Sequence, residues 1–344
     1  MQLDQRQIPL AAQSAEEAAR EEIAALVQFA FFRPHLAELL EAAAHADVGV
    51  IVLKGAALAE TVYARPSLRR FGDLDVLVRR AEAARARTVL ESLGYVVDLL
   101  QWVELESGRD CQANFFKHTG RGSVVVEMHT EIVNNDLFFG QISVDEGGLW
   151  GRARAARLAG AEARVLGPED QILHLCLHLA GHSLAAPQSL RDIAQVVPTG
   201  PVDWPLFVRL ARAARAGPAC FAGLLAAARL LGTPVPADVL DALAPRAGRV
   251  RLERIALARA EDSLGDPAAA CTERLRLPLL WHLLGSPSAR GRAGRRIVFP
   301  SRQWLLVHYA PERVGPLRPP PVLWLRAVHW ASLLRRVAAR RDGD

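Results

Sequence analysis

Two aspartates, Asp73 and Asp75, begin an apolar segment, and their spacing is suited to metal chemistry. Residues 76–78 are apolar and mostly β-branched, so the pair is predicted to begin a short buried strand. Because side chains alternate along a strand, both carboxylates are expected on one face, about 7 Å apart along the backbone. Like charges this close raise one pKa unless a cation lies between them. The pair therefore favours a Mg²⁺ site that handles phosphate, and the alternative is a solvated turn.

A lysine and a glycine stand upstream, between a predicted strand and a predicted helix. Residues 50–53 are apolar, Lys54 and Gly55 form the turn, and residues 56–60 are rich in alanine. A helix N-terminus presents free N–H groups and a positive dipole end, which suit phosphate. Lys54 adds a charge there, and Lys54 and Lys117 are the only lysines in the sequence. The alternative is a strand–turn–helix connection with no ligand.

A third carboxylate, Glu127, lies within a β-branched segment at 123–131. Alternation places Val125, Glu127 and His129 on one face of this predicted strand. A carboxylate among apolar residues is costly to bury unless it is paired or binds a metal. Glu127 is therefore the expected third acid beside Asp73 and Asp75. His129 is expected to point to the same cavity, with contact with substrate and a hydrogen bond in the core as the two interpretations.

The order of these elements resembles the nucleotidyltransferase superfamily, which has a polymerase-β-like fold. The closer resemblance is to a bacterial group called the uncharacterised nucleotidyltransferase family. The residues that carry it are Leu53-Lys54-Gly55, Tyr63, Arg69-Arg70, Asp73-Leu74-Asp75-Val76-Leu77-Val78, Gly94-Tyr95 and Glu127-Met128-His129, with segments 174–178, 191–194 and 299–301 farther on. The resemblance extends over roughly residues 20 to 340. Ala56 stands where better-known members have serine, so a phosphate-binding hydroxyl is missing.

The resemblance implies transfer of a nucleotidyl group from an NTP co-substrate to an acceptor, with Mg²⁺ or Mn²⁺ as the metal. The metal ligands and catalytic residues that it implies are Asp73, Asp75 and Glu127, with a general base as the other role for Glu127. The phosphate-binding residues that it implies are Lys54, Gly55, Arg69 and Arg70. The acceptor stays open among a peptide natural product, a saccharide and a small molecule.

Composition and pattern predict an α+β/α protein. A small mixed-sheet nucleotidyltransferase-like domain with an N-terminal helical segment is expected over 1–150, and a larger all-helical substrate-binding domain over 151–344. With 344 residues and 51% hydrophobic content, the chain can bury a substantial core. Four scattered cysteines argue against a zinc ribbon or a disulfide framework. No signal peptide and no uncharged membrane-spanning run is found, so a cytoplasmic enzyme is expected.

The predicted elements place these residues as follows. One long helix over 14–46 is expected, bent or divided at Pro34. Strands are predicted near 49–53, 74–78, 95–99, 112–117 and 123–132, with a helix at 80–93. A loop is predicted over 134–150. Helices are predicted near 168–184, 189–197, 203–216, 218–231, 236–245, 249–264 and 271–284.

Three histidines, His174, His178 and His182, recur at i, i+4 and i+8 on one predicted helix. The first and last lie about 12 Å apart along the helix axis, so the three cannot share one ion. Hydrogen bonding in the core is the favoured interpretation, and contact with substrate by His178 and His182 across a cleft is the second. Asp192, after Arg191, is expected to line the same cleft, with a salt bridge as the alternative.

The region after Gly285 is rich in arginine and contains Trp304, Trp324 and Trp330. A polyanionic partner or a membrane-surface helix over 321–341 is one interpretation. Packing of its apolar residues on the helical domain, with solvated arginines, is favoured. Nucleic-acid binding is not favoured, because no RNP, zinc-finger or helix-turn-helix signature is present.

Three other functions are compatible with these residues. A D-x-D pair also binds the diphosphate of a sugar nucleotide in metal-dependent glycosyltransferases. A toxin-like enzyme that modifies tRNA ends is compatible with the basic surface, and a non-catalytic nucleotide-binding module requires that the carboxylates do not converge. Because the predicted site residues contact only phosphates, they leave the acceptor, the base and the oligomeric state open.

Overall fold

A computed structural model of the chain describes residues 15–133, 141–265, 279, 282–284, 287–300, 305, 309 and 322–338. The chain forms two compact units, Met1–Gly285 and Ser286–Asp344. The first unit contains the β-sheet and the helices as far as residue 265. The domain boundary proposed near residue 150 stays a prediction.

One mixed sheet forms the centre of the first unit. Its strands are β1 (Val50–Val52), β2 (Leu74–Val78), β3 (Val96–Val97), β4 (Gln112–Thr119), β5 (Gly122–His129), β6 (Arg154–Leu158) and β7 (Ala161–Val165). Their order across the sheet is β3-β4-β5-β2-β1-β7-β6. The central strand β2 is antiparallel to β1 and parallel to β5. The predicted mixed sheet with an N-terminal helix is therefore confirmed.

The two faces of β2 and β5 have different neighbours. On one face Leu74, Val76, Val126 and Met128 join the main hydrophobic core. Because side chains alternate along a strand, the other face of the sheet carries Asp75 of β2 and the polar residues Glu127 and His129 of β5. All five residues of β2 are buried, as expected for a central strand covered on both sides. The sheet thus fixes the acidic residues on its second face.

Eleven helices of the first unit lie within the described residues. They are α1 (Ala15–His45), α2 (Lys54–Thr61), α3 (Ala83–Ser92), α4 (Leu99–Glu106), α5 (Glu146–Arg152), α6 (Pro168–Gly181), α7 (Pro187–Thr199), α8 (Trp204–Ala213), α9 (Gly217–Leu231), α10 (Ala237–Leu243) and α11 (Arg249–Gly265). Short 3₁₀ turns occur at Pro66–Leu68 and Arg80–Glu82. Helix α6 packs against α7, α8 and α9. The helices predicted after Pro168 are present up to residue 265, and most of the helix predicted at 271–284 lies outside the described residues. The expectation that 151–344 is all-helical is wrong for Arg154–Leu158 and Ala161–Val165, which are strands of the sheet.

Helix α1 continues through Pro34, so this proline does not divide it, and a bend at Pro34 stays a prediction. By length and composition, the segment Glu22–His45 of α1 could cross a membrane. This finding qualifies the sequence analysis, in which no membrane-spanning segment was found. Three of its apolar side chains, Phe32, Leu36 and Leu40, are buried in the sheet core. The second half of α1 is therefore a core element of the first unit.

Four elements differ from the sequence predictions. The strand expected at 95–99 ends at Val97, because Asp98 accepts the N–H groups of Leu100 and Gln101 and so caps α4. The hairpin of β6 and β7 was not predicted. Helix α5 lies partly in the predicted loop, of which residues 134–140 are outside the described residues. The hairpin extends the sheet, because β7 pairs in parallel with β1.

The second unit contains α12 (Pro287–Val298) and α13 (Val322–Ala338). Trp330 of α13 donates its indole N–H to the Val298 carbonyl at 2.8 Å, and His329 contacts the Ile297 carbonyl at 2.7 Å. The apolar side chains of Leu323 and Trp324 are exposed. Helix α13 therefore packs on the end of α12 through its central residues. Trp304, named with the basic region, lies outside the described residues.

Candidate active site

Asp75 and Glu127 face each other across the parallel strands β2 and β5. They are direct partners in the strand register, and Leu77 pairs with His129 two positions later. Adjacent strands lie about 4.8 Å apart, and residues in register project to the same face of the sheet. The two carboxylates predicted from separate parts of the sequence therefore converge.

His129 joins the two carboxylates. Its Nε2 lies 3.1 Å from Asp75 Oδ1 and 3.7 Å from Glu127 Oε2. Asp75, Glu127 and His129 each offer a ligand atom, and these atoms lie within 4.8 Å of one another. It is the one such group of three among the described residues that can hold an ion. Carboxylates suit Mg²⁺ and Mn²⁺, and imidazole is a ligand of transition-metal ions, so the donor set fits a divalent cation.

The charges of the cluster are strongly coupled. Burial alone would raise the pKa of Asp75, but the Lys54 ammonium and the hydrogen bond from His129 outweigh it and hold that pKa well below its usual range. Burial, followed by the charges of Asp75 and Asp73, raises the pKa of Glu127 to about 7. Burial lowers the pKa of His129. The site therefore holds one firmly ionised carboxylate beside one that exchanges a proton near neutral pH.

Asp73 lies just before β2 and is partly exposed. Burial and then the charge of Asp75 raise its pKa, whereas the charge of Lys54 lowers it. Asp73 thus belongs to the same electrostatic site but not to the close group of three, in which His129 is the third member.

Lys54 contacts the carboxylate cluster directly. Its Nζ lies 2.7 Å from Asp75 Oδ1, and its side chain is almost fully buried. Lys54 is the first residue of α2 and has a positive φ of 37°, a conformation that non-glycine residues rarely adopt. The lysine predicted to hold phosphate is therefore paired with the central aspartate.

Gly55 is required by packing. A Cβ atom at this position would lie 2.5 Å from the Cβ of Phe71, well inside van der Waals contact. Phe71 belongs to the segment that leads into β2 and is buried in the main core. The Phe71 contact is thus the packing reason for a glycine at this turn.

The histidines of α6 lie close to this cluster. His174 contacts the Ile132 carbonyl through Nδ1 at 3.0 Å, and His178 contacts Ser189 Oγ through Nδ1 at 2.8 Å. Burial and then the charge of Lys54 lower the pKa of His174 to about 3, and the same two causes lower that of His178. His182 is exposed, and its ring centroid lies 4.5 Å from that of His178. The three histidines therefore run from the carboxylate cluster toward the surface.

Arg69 and Asp192 form a buried ion pair. Arg69 Nε lies 2.7 Å from Asp192 Oδ1, and Nη2 lies 2.8 Å from Oδ2. Tyr63 donates its hydroxyl proton to the same Oδ1 at 2.7 Å. The pair joins the segment before β2 to α7. The salt-bridge interpretation of Asp192 thus matches the geometry. Arg70 is exposed and has no ion pair with another residue of the described part of the chain.

Sequence reasoning missed several partners of these residues. Gln188 donates to Asp192 Oδ1 and to the Tyr63 hydroxyl, each at 3.2 Å, and Ser189 pairs with His178. The i, i+4 spacing of Gln188 and Asp192 on α7 is the one local signal of this network. The contact between Gln188 and Tyr63 joins positions 125 residues apart, which no local pattern reveals.

Comparison with known proteins gives one match. The model of a family described as "uncharacterised nucleotidyltransferase" matches residues 6–232, which include β1 to β7 and the histidines of α6. No curated protein and no solved structure matches the chain.

Proposed function

The chain belongs to the uncharacterised nucleotidyltransferase family and is a transferase of nucleotidyl groups. From this premise we propose that it moves the nucleotidyl group of an NTP to an acceptor in a reaction that depends on Mg²⁺ or Mn²⁺. The observation that carries the proposal is the convergence of Asp75, Glu127 and His129 on one face of the sheet. Asp75, Glu127 and His129 would hold the cation, with Asp73 beside them. A bound cation would offset the negative charge of the triphosphate.

The proposed reaction forms a bond between an acceptor oxygen or nitrogen and the α-phosphorus of the NTP. The bond between the α-phosphorus and the oxygen that bridges to the β-phosphate breaks, and pyrophosphate leaves with that electron pair. Glu127 takes the proton of the acceptor group. This role would use a carboxylate oxygen lone pair that does not bind the cation.

The triphosphate is proposed to lie at the N-terminus of α2. Leu53 precedes this helix, and no side chain forms a capping hydrogen bond with its first N–H groups. Those N–H groups, with Lys54 and Gly55, form the proposed phosphate site. Arg70 is the exposed arginine next to it, whereas Arg69 already has a carboxylate partner.

The acceptor side is proposed to include His178 of α6 and His182, which directly follows the end of this helix at Gly181. Their rings continue from the cluster to the surface, and neutral imidazoles donate and accept hydrogen bonds with hydroxyl or amide groups. A peptide natural product, a saccharide or another small molecule would meet these requirements. We propose a cytoplasmic location for the reaction.

Metal-dependent binding of candidate donors tests the proposal. Native protein, Asp75→Asn and the exposed control Glu106→Gln are titrated with the four NTPs and with UDP- and GDP-sugars, with and without Mg²⁺. We expect Mg²⁺-dependent NTP binding that Asp75→Asn abolishes and Glu106→Gln keeps. A preference for a sugar nucleotide would replace the proposal with glycosyl transfer. Absence of metal-dependent binding to every donor by folded native protein would contradict an active nucleotidyltransferase site.

A further inference from the structure

Lys54 makes a contact that the proposed reaction does not require. Its ammonium lies 2.7 Å from Asp75 Oδ1, and His129 Nε2 lies 3.1 Å from the same oxygen. That oxygen belongs to the ligand set of Asp75, Glu127 and His129. A cation of the protein itself therefore contacts an atom that the divalent cation would need.

An unpaired acceptor lies near this lysine. His174 is 1% exposed, its Nδ1 contacts the Ile132 carbonyl at 3.0 Å, and its Nε2 has no hydrogen-bond partner among the described residues. A carbonyl oxygen accepts only, so Nδ1 carries the proton and the Nε2 of the neutral ring presents a lone pair. The Ile132 carbonyl that contacts His174 lies three residues after His129, and His129 contacts the same Asp75 oxygen as Lys54, so this ring borders the same cluster.

We propose that Lys54 is an exchangeable internal cation, which competes with the divalent cation for Asp75 and transfers its ammonium to Nε2 of His174 when the divalent cation binds. This inference rests on the proposed function, because it takes the cluster to be a metal site. The ammonium would donate a hydrogen bond to Nε2, so no buried charge would be left without a partner. Lys54 and His174 are thus positioning residues: the place of the Lys54 ammonium, on Asp75 or on His174, decides whether the site is open to the metal and its triphosphate.

Mn²⁺ binding without nucleotide tests the competition. Electron paramagnetic resonance titrations compare native protein with Lys54→Gln, Lys54→Arg, His174→Phe and the double variant Lys54→Gln/His174→Phe. Removal of a charge next to the ion should tighten Mn²⁺ binding at least ~10-fold in Lys54→Gln. Lys54→Arg, which keeps the charge, should remain closer to native affinity. His174→Phe should weaken Mn²⁺ binding in the native background and have no effect when Lys54→Gln is present.

The two lysines of the sequence allow a second measurement on the native protein. With ¹³C/¹⁵N-labelled lysine, NMR should show two ammonium environments, and Lys117, which contacts Glu38 at 3.1 Å, serves as the internal control. We expect Mg²⁺ to shift the Lys54 signal, identified by its loss in Lys54→Arg, and to leave the Lys117 signal in place. This measurement does not depend on whether Lys54→Gln folds.

The outcomes separate this inference from the proposed function. Native Mn²⁺ binding that Lys54→Gln leaves unchanged or weakens would overturn the exchange but not the metal site. A Lys54 signal that stays fixed while the protein binds Mg²⁺ would overturn it as well. Absence of metal binding by native protein and by Lys54→Gln would contradict both the exchange and the proposed function.

Discussion

Asp75 and Glu127 are direct partners across the parallel strands β2 and β5, although they lie 52 positions apart in the sequence. A shift of one residue in this register would turn one carboxylate to the opposite face, into the apolar core. The register therefore specifies the site. The apolar residues that alternate with the acids along β2 and β5 hold this register. Leu74, Val76, Val126 and Met128 are all buried on the other face of the sheet.

Removal of the central charge should abolish function. We expect Asp75→Asn to lower the rate of nucleotidyl transfer at least about 100-fold, because the variant lacks the ionised carboxylate that binds the cation. Single-turnover measurements with the donor found in the binding experiment test this. Glu106→Gln, at an exposed position of α4, is the matched control and should keep native activity. Activity of Asp75→Asn within a few-fold of native would rule out Asp75 as a ligand.

Metal binding should release a proton from Glu127. With a pKa of about 7, this carboxyl is about half protonated at pH 7, and a cation binds only the ionised form. Calorimetric titration with Mg²⁺ in PIPES and in Tris at pH 7 should show release of up to ~0.5 proton, and tighter binding as the pH rises toward 8. The release should disappear at pH 9 and in Glu127→Gln. Heats independent of the buffer at pH 7 would contradict this.

The site could be predicted from the sequence to the extent that its residues lie on recognisable local elements. Asp75, Glu127 and Lys54 each stand within or beside an apolar segment of strand character, so their convergence was expected. The pairing of Lys54 with Asp75 was not expected, because it depends on where α2 begins relative to β2. The pairing of Arg69 with Asp192 spans 123 positions, and neither residue's local pattern identifies its partner.

The buried pair of Arg69 and Asp192 should be sensitive to the loss of one charge. Asp192→Asn should lower the free energy of unfolding by about 3–5 kcal/mol, because Arg69 would keep a buried charge without its ionised partner. Urea unfolding at pH 7 measures the change. The matched control is Asp241→Asn, which removes the exposed pair with Arg249 and should cost less than about 1 kcal/mol. Equal costs for the two variants would contradict a structural role of the buried pair.

Gly55 should not tolerate a methyl group. Gly55→Ala places a Cβ 2.5 Å from that of Phe71 in the packed core, and such overpacking typically costs about 1–3 kcal/mol. Gly72→Ala is the control, because a Cβ there meets no atom within 4 Å. Thermal unfolding of both variants tests this. Equal melting temperatures for Gly55→Ala and native protein would show that α2 can shift away from Phe71, and would contradict close packing as the reason for this glycine.

The elements that sequence reasoning missed have a common physical cause. Strands β6 and β7 are rich in alanine and arginine, which have low or average strand propensity, and they form because β7 pairs with β1. The N–H of Ala159, in the turn between them, donates to both carboxylate oxygens of Glu60 at 3.0 Å, which ties the hairpin to α2. Tertiary pairing thus decides these strands, whereas β2 and β5 have a strong local signal.

The buried histidines should make the protein sensitive to mild acid. His174 has a pKa of about 3 in the folded protein and an ordinary value of 6.5, so between these values the unfolded chain binds the proton and the folded protein does not. Stability therefore falls as the pH is lowered through this window, by up to about 1.4 kcal/mol per pH unit for one group. His178 and His129 act in the same direction, whereas Glu127, with its raised pKa, acts in the opposite one.

Comparison with His174→Gln isolates the contribution of this ring from those of the other groups. Urea unfolding from pH 7 to pH 5 should give a decrease in stability for the native protein that is about 2 kcal/mol larger than that for His174→Gln. If His174→Gln shows the same pH dependence as the native protein, His174 takes up its proton without unfolding, and the ring is not held neutral by burial.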